Sequence, residues 1–242
     1  MNLIIDIGNS FVKVAVFKKD ALVQKELIQS KDLLKTVKEL KKKYKTLNKA
    51  IISSVGKVET TIIDVLKESF HVLVLNSQTQ LRFKNLYGTP KTLGVDRMAL
   101  VSASTKQFPK KNVLIVDAGT CITYDFINNK NEYFGGAISP GIRMRYQSLN
   151  NFTANLPLLE TNLPTDIIGN STATSIHSGI ITGILKEIDG VISEYKEKYP
   201  DLTVILTGGD TKFLSKQLKS SIFANSNFLL EGLNHILQFN SN

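Results

Sequence analysis

The chain has 242 residues, of which 42% are hydrophobic, and its formal net charge is +9. This length and apolar content allow a substantial core in one large or two modest domains and exclude an intrinsically disordered protein. No run of about 18 or more apolar residues is present, so we expect no membrane partner. The N-terminal residues form a strand pattern that carries the charged Asp6, which is not the pattern of a signal peptide. We therefore expect a cytoplasmic protein. The single cysteine, Cys121, excludes an internal disulfide and a metal site built from several cysteines.

Much of the positive charge lies between residues 35 and 49, where the lysines accompany apolar residues at helical spacing. These lysines are Lys35, Lys38, Lys41, Lys42, Lys43, Lys45 and Lys49. Lysines opposite an apolar stripe usually form the solvated face of a helix. Neither arginines nor exposed-looking aromatic residues alternate with them, as they do in many nucleic-acid sites, so we expect no nucleic-acid partner.

Strands and helices alternate along the chain, which predicts an α/β fold. The first half is predicted to contain a strand hairpin at 3–28, a helix at 31–45, a strand at 50–54, a helix at 59–69, a strand at 72–75 and a helix at 95–107. The second half is predicted to contain a strand at 113–117 that opens a hairpin, a Gly-Gly turn at 135–136, long helical stretches, a strand at 203–206 and a helix at 228–239. The pattern restarts near residue 110, which predicts domains at 1–109 and 110–242 with a ligand cleft between them.

A short motif occurs once in each half of the chain, at 3–10 (LIIDIGNS) and at 114–121 (LIVDAGTC). In each copy an apolar strand ends at an aspartate, Asp6 or Asp117, and turns at a glycine, Gly8 or Gly119. Further donors follow the turns at Asn9, Ser10 and Thr120. The chain then resumes as a strand, so each motif predicts a hairpin and not the strand-to-helix turn of a P-loop or Rossmann site.

These features suit a polyphosphate ligand only if a cation accompanies it, because a carboxylate repels phosphate. An aspartate at a strand end can instead simply cap a turn, and for one copy alone that interpretation would be preferred. A third element changes the balance: the strand at 203–206 ends in the tandem glycines Gly208 and Gly209, which allow close approach to a nucleotide. On its own, this turn could equally be an ordinary strand-to-helix connection.

With these elements the chain resembles the superfamily of acetate and sugar kinases, actin and heat-shock ATPase chaperones, and within it the type III pantothenate kinases. The narrower resemblance rests on motifs that follow the family's order: DIGNSFVK at 6–13, YG at 87–88, GVDR at 94–97, DAGT at 117–120, GGAISPG at 135–141, NST at 170–172 and TGGD at 207–210.

The resemblance implies two ribonuclease H-like domains, assembled as a homodimer, and ATP-dependent phosphorylation of pantothenate to 4'-phosphopantothenate, the first step towards coenzyme A. It also implies magnesium and a monovalent cation, potassium or ammonium. Asp96 would be the catalytic base, Asp117 would bind the monovalent cation, and Asp6 would bind magnesium, directly or through water. The ATP-binding residues would be Asp6, Gly8, Asn9, Ser10, Lys13, Thr120, Gly208 and Gly209. The pantothenate-binding residues would be Tyr87, Gly94, Val95, Asp96, Arg97 and Thr172.

Several side chains keep two interpretations at this stage. Arg97 could bind the pantothenate carboxylate, or it could pair with Asp96 or a structural acid. Tyr87 could line the pocket or belong to the core. Arg143 and Arg145 are expected to face solvent. The three histidines, His71, His177 and His235, show no metal-binding spacing and are expected to be ordinary surface or satisfied core residues.

Two other functions also remain open. One is a transcriptional accessory protein that keeps this fold and acts by binding, which the basic charge would suit. The other is a different small-molecule kinase of the same superfamily. The intact Asp6, Asp96 and Asp117 argue against the first, and the GVDR motif is unlike the substrate motifs of the second.

Overall fold

The computed structural model describes residues 1–8, 11–54, 56 and 59–241. Within this part the chain forms two compact units. The first comprises residues 1–109, 131–133 and 227–242, and the second comprises 110–130 and 134–226. The change of unit near residue 110 matches the restart of the sequence pattern. The C-terminal helix, however, lies in the first unit, whereas the sequence placed it in the second domain.

The first unit is built on a five-stranded sheet. Its strands are β1 (Asn2–Ile7), β2 (Val12–Lys18), β3 (Ala21–Ile28), β4 (Lys49–Ser54) and β5 (His71–Val74), and a short strand β6 (Lys84–Asn85) pairs with residues 132–133. The order is β3-β2-β1-β4-β5. Strand β2 is antiparallel to β1 and β3, while β4 is parallel to β1 and to β5. This is the ribonuclease H-like arrangement.

Four helices cover both faces of this sheet. They are α1 (Leu33–Lys43), α2 (Thr60–Lys67), α3 (Val95–Gln107) and α8 (Phe228–Phe239), with short 3-10 turns at Ser30–Asp32 and Pro90–Thr92. Helices α1 and α2 share a core with alternate residues of β1, such as Leu3 and Ile5. Helices α3 and α8 pack on each other and on β4. Burial on both faces explains the continuous apolar run of β1.

The second unit repeats the strand order of the first. Its strands are β7 (Val113–Ala118), β8 (Cys121–Ile127), β9 (Glu132–Pro140), β10 (Thr203–Thr207) and β11 (Phe223–Ala224), in the order β11-β10-β7-β8-β9. Its helices are α4 (Ile142–Asn151), α5 (Thr172–His177), α6 (Gly183–Lys198) and α7 (Thr211–Leu214), and a π-helical segment, Ser178–Thr182, joins α5 to α6. Strands β7 and β8 are antiparallel, as β1 and β2 are, which confirms both predicted hairpins.

One local prediction was wrong. Gly135 and Gly136 lie inside β9 and do not form a turn. Gly136 packs so closely on the Tyr124 carbonyl of β8 that a Cβ atom would collide with it. Gly136 therefore serves close packing within the sheet, while Gly135 has a φ of +103°, a conformation that favours glycine. None of the helices in the described part of the chain combines the length and apolar character needed to cross a bilayer.

Candidate active site

The first hairpin closes through its glycine. The Gly8 amide donates to the Phe11 carbonyl at 3.1 Å, immediately after β1 ends. Of the predicted ATP-binding residues in this turn, Asn9 and Ser10 lie outside the described residues. The hydrogen bond from Gly8 to Phe11 therefore joins the residue after β1 to the residue before β2.

Asp6 is a buried carboxylate at the end of β1. Its side chain is 7% exposed, and Lys13 lies directly opposite on β2, with its Nζ 3.3 Å from Asp6 Oδ2. Ser53, fully buried on β4, occupies the register position on the other side of Asp6. The sequence analysis did not select Ser53. The end of the apolar strand at 50–54 could have indicated it, because neighbouring parallel strands end at the same sheet edge.

Burial raises the pKa of Asp6 above its usual value of 3.8. The Lys13 ammonium acts in the opposite direction, and the Ser53 hydroxyl also lowers the pKa, although Ser53 Oγ makes no well-formed hydrogen bond to any described residue. The Asp96 carboxylate raises the pKa of Asp6 further. Asp6 and Asp96 are thus electrostatic neighbours within the first unit, and Lys13 only partly compensates Asp6.

Asp96 lies in the first turn of α3, where the helix dipole favours a negative charge. Its Oδ1 accepts a hydrogen bond of 2.8 Å from the Arg97 backbone amide. Gly94 precedes the helix as its N-cap, and a Cβ at this position would collide with the Asp96 carboxylate. Gly94 and Val95 therefore shape the helix start, and the carboxylate of Asp96 is held in one orientation.

Arg97 and Tyr87 contact each other in the first unit. The Arg97 guanidinium lies over the Tyr87 ring, 5.4 Å from its centroid, and Arg97 is buried. Tyr133 also contacts Tyr87: the two rings stack with 6.2 Å between their centroids. Tyr87 is half-buried, so it is both a packing residue and part of the wall beside Arg97.

In the second unit, Asp117 occupies the position in β7 that Asp6 occupies in β1. Thr207 of β10 lies beside it in register. The turn that follows closes through the Gly119 amide, which donates to the Cys121 carbonyl at 2.9 Å. Thr120 is exposed at the tip of this turn, and its carbonyl accepts a hydrogen bond from Gly141 at 3.1 Å.

The tandem glycines after β10 differ from each other. Gly208 has a φ of +97°, and a Cβ there would collide with the Ala118 carbonyl and with Oδ1 of Asp117. Gly209 is exposed, and no atom lies within 4 Å of the place where its Cβ would be. The Asp210 amide then donates to the Ala118 carbonyl at 3.0 Å. Gly208 thus packs the turn against Asp117, while Gly209 leaves its backbone open.

Thr172 is the first residue of α5 and is exposed. Ser171 and Thr174 form a capping box that fixes this helix start.

Arg145 does not face solvent as the sequence suggested, because it forms part of a polar network in the second unit. Its Nη2 bonds to Glu187 and to Ser139, and its Nε donates to the Pro140 carbonyl at 2.9 Å. The buried Tyr124 hydroxyl donates to the other oxygen of Glu187 at 2.9 Å. This network ties β8 and β9 to α4 and α6. Arg143 is more exposed and bonds to the Leu159 carbonyl.

The comparison with known proteins identifies the family. The sequence pattern of the family described as type III pantothenate kinase matches residues 2–194. A protein of that description from Christiangramia forsetii is 52% identical over 240 residues, which cover 99% of each chain. The chain belongs to the type III pantothenate kinases. Another member of this family, from Bacteroides fragilis, is 45% identical over 242 residues and covers 100% of this chain and 99% of its own.

Solved structures extend the likeness to a wider fold group. A Campylobacter jejuni chain described as a Baf family transcriptional activator gives a TM-score of 0.66 at 22% identity, with 98% of each chain covered. A glucokinase from an Antarctic psychrotroph gives 0.54 at 12% identity, again with 98% of each chain covered. At these identities the likeness concerns the fold alone. It confirms the predicted α/β class for this type III pantothenate kinase.

Proposed function

We propose that the protein transfers the terminal phosphoryl group of ATP to the primary hydroxyl of pantothenate and so forms 4'-phosphopantothenate, the first step of coenzyme A biosynthesis. Membership of the type III pantothenate kinases over the full chain supports this reaction. The observation that carries the residue roles is the fixed carboxylate of Asp96 at the start of α3, electrostatically coupled to the buried Asp6.

In this proposal Asp96 orients the pantothenate hydroxyl and accepts its proton. Phosphoryl transfer requires positioning and charge neutralisation more than covalent chemistry. The Asp96 carboxylate is suited to positioning because Gly94 and the Arg97 amide hold it in place. Arg97 and Tyr87 then bind the pantothenate carboxylate and chain, with Val95 and Thr172 as further substrate contacts.

Lys13 and the hairpin turns hold ATP in this proposal. The Lys13 side chain is 40% exposed, so its ammonium can donate to a phosphate oxygen while it remains beside Asp6. Gly8, Asn9 and Ser10 offer backbone and side-chain donors at the first turn. Thr120, Gly208 and Gly209 serve the same ligand from the second unit, where the open backbone of Gly209 supports this role.

Magnesium fits Asp6, because protein sites for this ion need only one or two carboxylates besides the phosphates. Among the described residues, no three or more His, Cys, Asp or Glu side chains cluster in a way that could hold a metal ion. Burial raises the pKa of Asp6 despite the Lys13 ammonium, and a further cation beside Asp6 would favour its ionised form. When bound, magnesium would neutralise phosphate charge. Asp117, with Gly208 packed against its carboxylate, would hold potassium or ammonium.

A homodimer is the proposed assembly. The second unit exposes several large apolar side chains near α4 and in the following loop, among them Phe152 (88%), Ile167 (68%) and Ile168 (79%). Exposed apolar groups of this kind mark interaction surfaces. Sedimentation analysis should give a dimer, and the double substitution Phe152→Asp and Ile168→Asp should give a folded monomer. A wild-type monomer at micromolar concentration would refute the assembly.

The reaction is tested by coupling ADP release to a panel of acceptors. Pantothenate should support turnover with magnesium and potassium, whereas sugars and short carboxylic acids should not. Asp96→Asn should lower turnover at least about 100-fold and leave ATP binding near normal. Asp64→Asn, which removes the same charge from an exposed site on α2, is the matched control. Turnover of Asp96→Asn within about tenfold of the parent would remove Asp96 from the role of base. Absence of pantothenate turnover together with salt-sensitive DNA binding would instead favour the transcriptional accessory function.

A further inference from the structure

A polar cavity lies in the first unit, near the C-terminal ends of α3 and α8. Its volume is about 590 Å³, within the range of small-molecule sites. Arg82, Lys106, His235 and Gln238 line it, with Phe239 beside Arg82. Lys106 follows Asp96 by ten residues on α3, which places it about 15 Å along the helix axis from that carboxylate. The cavity is therefore distinct from the candidate active site.

The charges around the cavity do not balance. Lys106 forms an ion pair with Asp20, and its Nζ also lies 3.3 Å from the Gln238 side-chain oxygen. Arg82 lies over the Phe239 ring at 4.7 Å and forms no ion pair with any described residue. Among the described residues, one carboxylate, Asp20, thus accompanies the two cations Arg82 and Lys106 of the cavity wall.

His235 is an unusual member of this wall. It is 7% exposed, and its Nε2 is buried without a hydrogen-bond partner in the described part of the chain. A buried polar atom without a partner is costly, so structures usually satisfy it. Burial and the nearby cations Lys106 and Arg82 lower the pKa of His235 to about 4, and Asp20 acts in the opposite direction. The ring is therefore neutral at pH 7 and lies near two cations, of which Lys106 is paired with Asp20.

We propose that this cavity binds the phosphate group of a small molecule, with Arg82 and Lys106 as its cationic ligands and His235 in the binding wall. The guanidinium of Arg82 presents parallel donors that match a phosphate, and its stacking on Phe239 fixes their plane. Lys106 supplies a second, compact charge, held near the cavity by Gln238 and Asp20. A dianion bound here offsets the charge excess that these side chains leave.

The His235 ring provides a local readout by NMR. Two other histidines occur in the chain: His71 is exposed, and His177 Nδ1 lies 2.7 Å from the Tyr146 hydroxyl. Substitution of His71 and of His177, one at a time, therefore assigns the remaining signal to His235 by elimination. The groups that act on His235 are Lys106 from α3, Arg82 from the loop before β6 and Asp20 from the β2–β3 turn. A bound anion should raise the measured pKa of His235 by about one unit or more.

The experiment titrates the full-length protein with inorganic phosphate, glycerol phosphate and acetate at constant ionic strength. We expect both phosphates to shift the NMR signals of the His235 ring saturably, and acetate to shift them only weakly. If only inorganic phosphate shifts the His235 signals, the cavity binds the free phosphate ion and not a phosphomonoester. Arg82→Gln should weaken phosphate binding at least about tenfold, which corresponds to about 1.4 kcal/mol.

Two further variants serve as controls for phosphate binding. Arg82→Lys keeps the charge and should retain part of the affinity, so its behaviour does not depend on whether Arg82→Gln folds. Lys67→Gln removes one charge from an exposed position on α2 and should bind phosphate like the parent. The proposal is overturned if phosphate leaves the His235 signal unmoved, if acetate acts as strongly as phosphate, or if Arg82→Gln and Lys67→Gln weaken binding equally.

Discussion

The adjacent glycines after β10 offer a matched pair of substitutions with opposite expected outcomes. At Gly208 an alanine would adopt a φ of +97°, and its methyl group would meet the Ala118 carbonyl and the Asp117 carboxylate. Left-handed backbone costs a residue with a side chain about 1–2 kcal/mol, and forced packing adds about 1–3 kcal/mol. We therefore expect Gly208→Ala to destabilise the protein by about 3 kcal/mol, which corresponds to a loss of about 6–12 °C in melting temperature for a chain of this size.

Gly209→Ala is the control, because its methyl group meets nothing within 4 Å. Its melting temperature should stay within about 2 °C of the parent, as for most exposed substitutions. Calorimetry measures both variants, and titration with ATP measures the ligand side. Gly209→Ala should weaken ATP binding if its open backbone faces the nucleotide. Equal melting temperatures for the two variants would refute the assignment of Gly208 as the packing glycine.

Three further predictions concern charge, the polar network and helix packing. Because burial raises the folded-state pKa of Asp6 above 3.8, its protonation stabilises the fold at low pH, and this stabilisation is lost as pH rises through the raised value. In urea unfolding, the free energy of unfolding of Asp6→Asn should therefore fall less than that of the parent between pH 4 and 7. A larger fall in the variant would contradict the upward direction of the Asp6 pKa shift. Tyr124→Phe removes a buried hydrogen bond to Glu187 and should cost about 1.5–3 kcal/mol, measured in the same way. Gly232→Ala should destabilise the protein because its Cβ would collide with the Ala99 carbonyl, whereas Gly190→Ala, in an open position of α6, should stabilise it by about 0.5–1 kcal/mol.

The sequence predicted those features that repeat or that follow a simple period. The sequence predicted both hairpins, the strands at 50–54, 72–75 and 203–206 and the helix at 95–107, because apolar runs and glycine turns are local signals. The basic helix was also correct, since Val37 and Leu40 are buried while Lys38 and Lys42 are exposed.

Other features depend on long-range contacts that no local pattern encodes. Gly135 and Gly136 resemble a turn in sequence, and only the approach of the Tyr124 carbonyl explains Gly136 as a strand residue. Arg145 resembles a surface arginine until Glu187, 42 residues later, is brought beside it. His235 lies within an apolar helix, and the sequence does not reveal that Arg82 and Lys106 converge on it. The roles assigned to Asp96, Asp117 and Thr172 stay predictions until they are measured.

The return of α8 to the first unit has a consequence for biosynthesis. The N-terminal sheet is among the first parts of the chain to leave the ribosome, yet the helix that packs on it and on α3 spans Phe228–Phe239. Until those last residues emerge, the nascent chain exposes the apolar surface that α8 will cover. The first unit therefore completes its core only after the residues of the second unit have been synthesised, while the second unit, whose residues are contiguous apart from 131–133, can mature earlier.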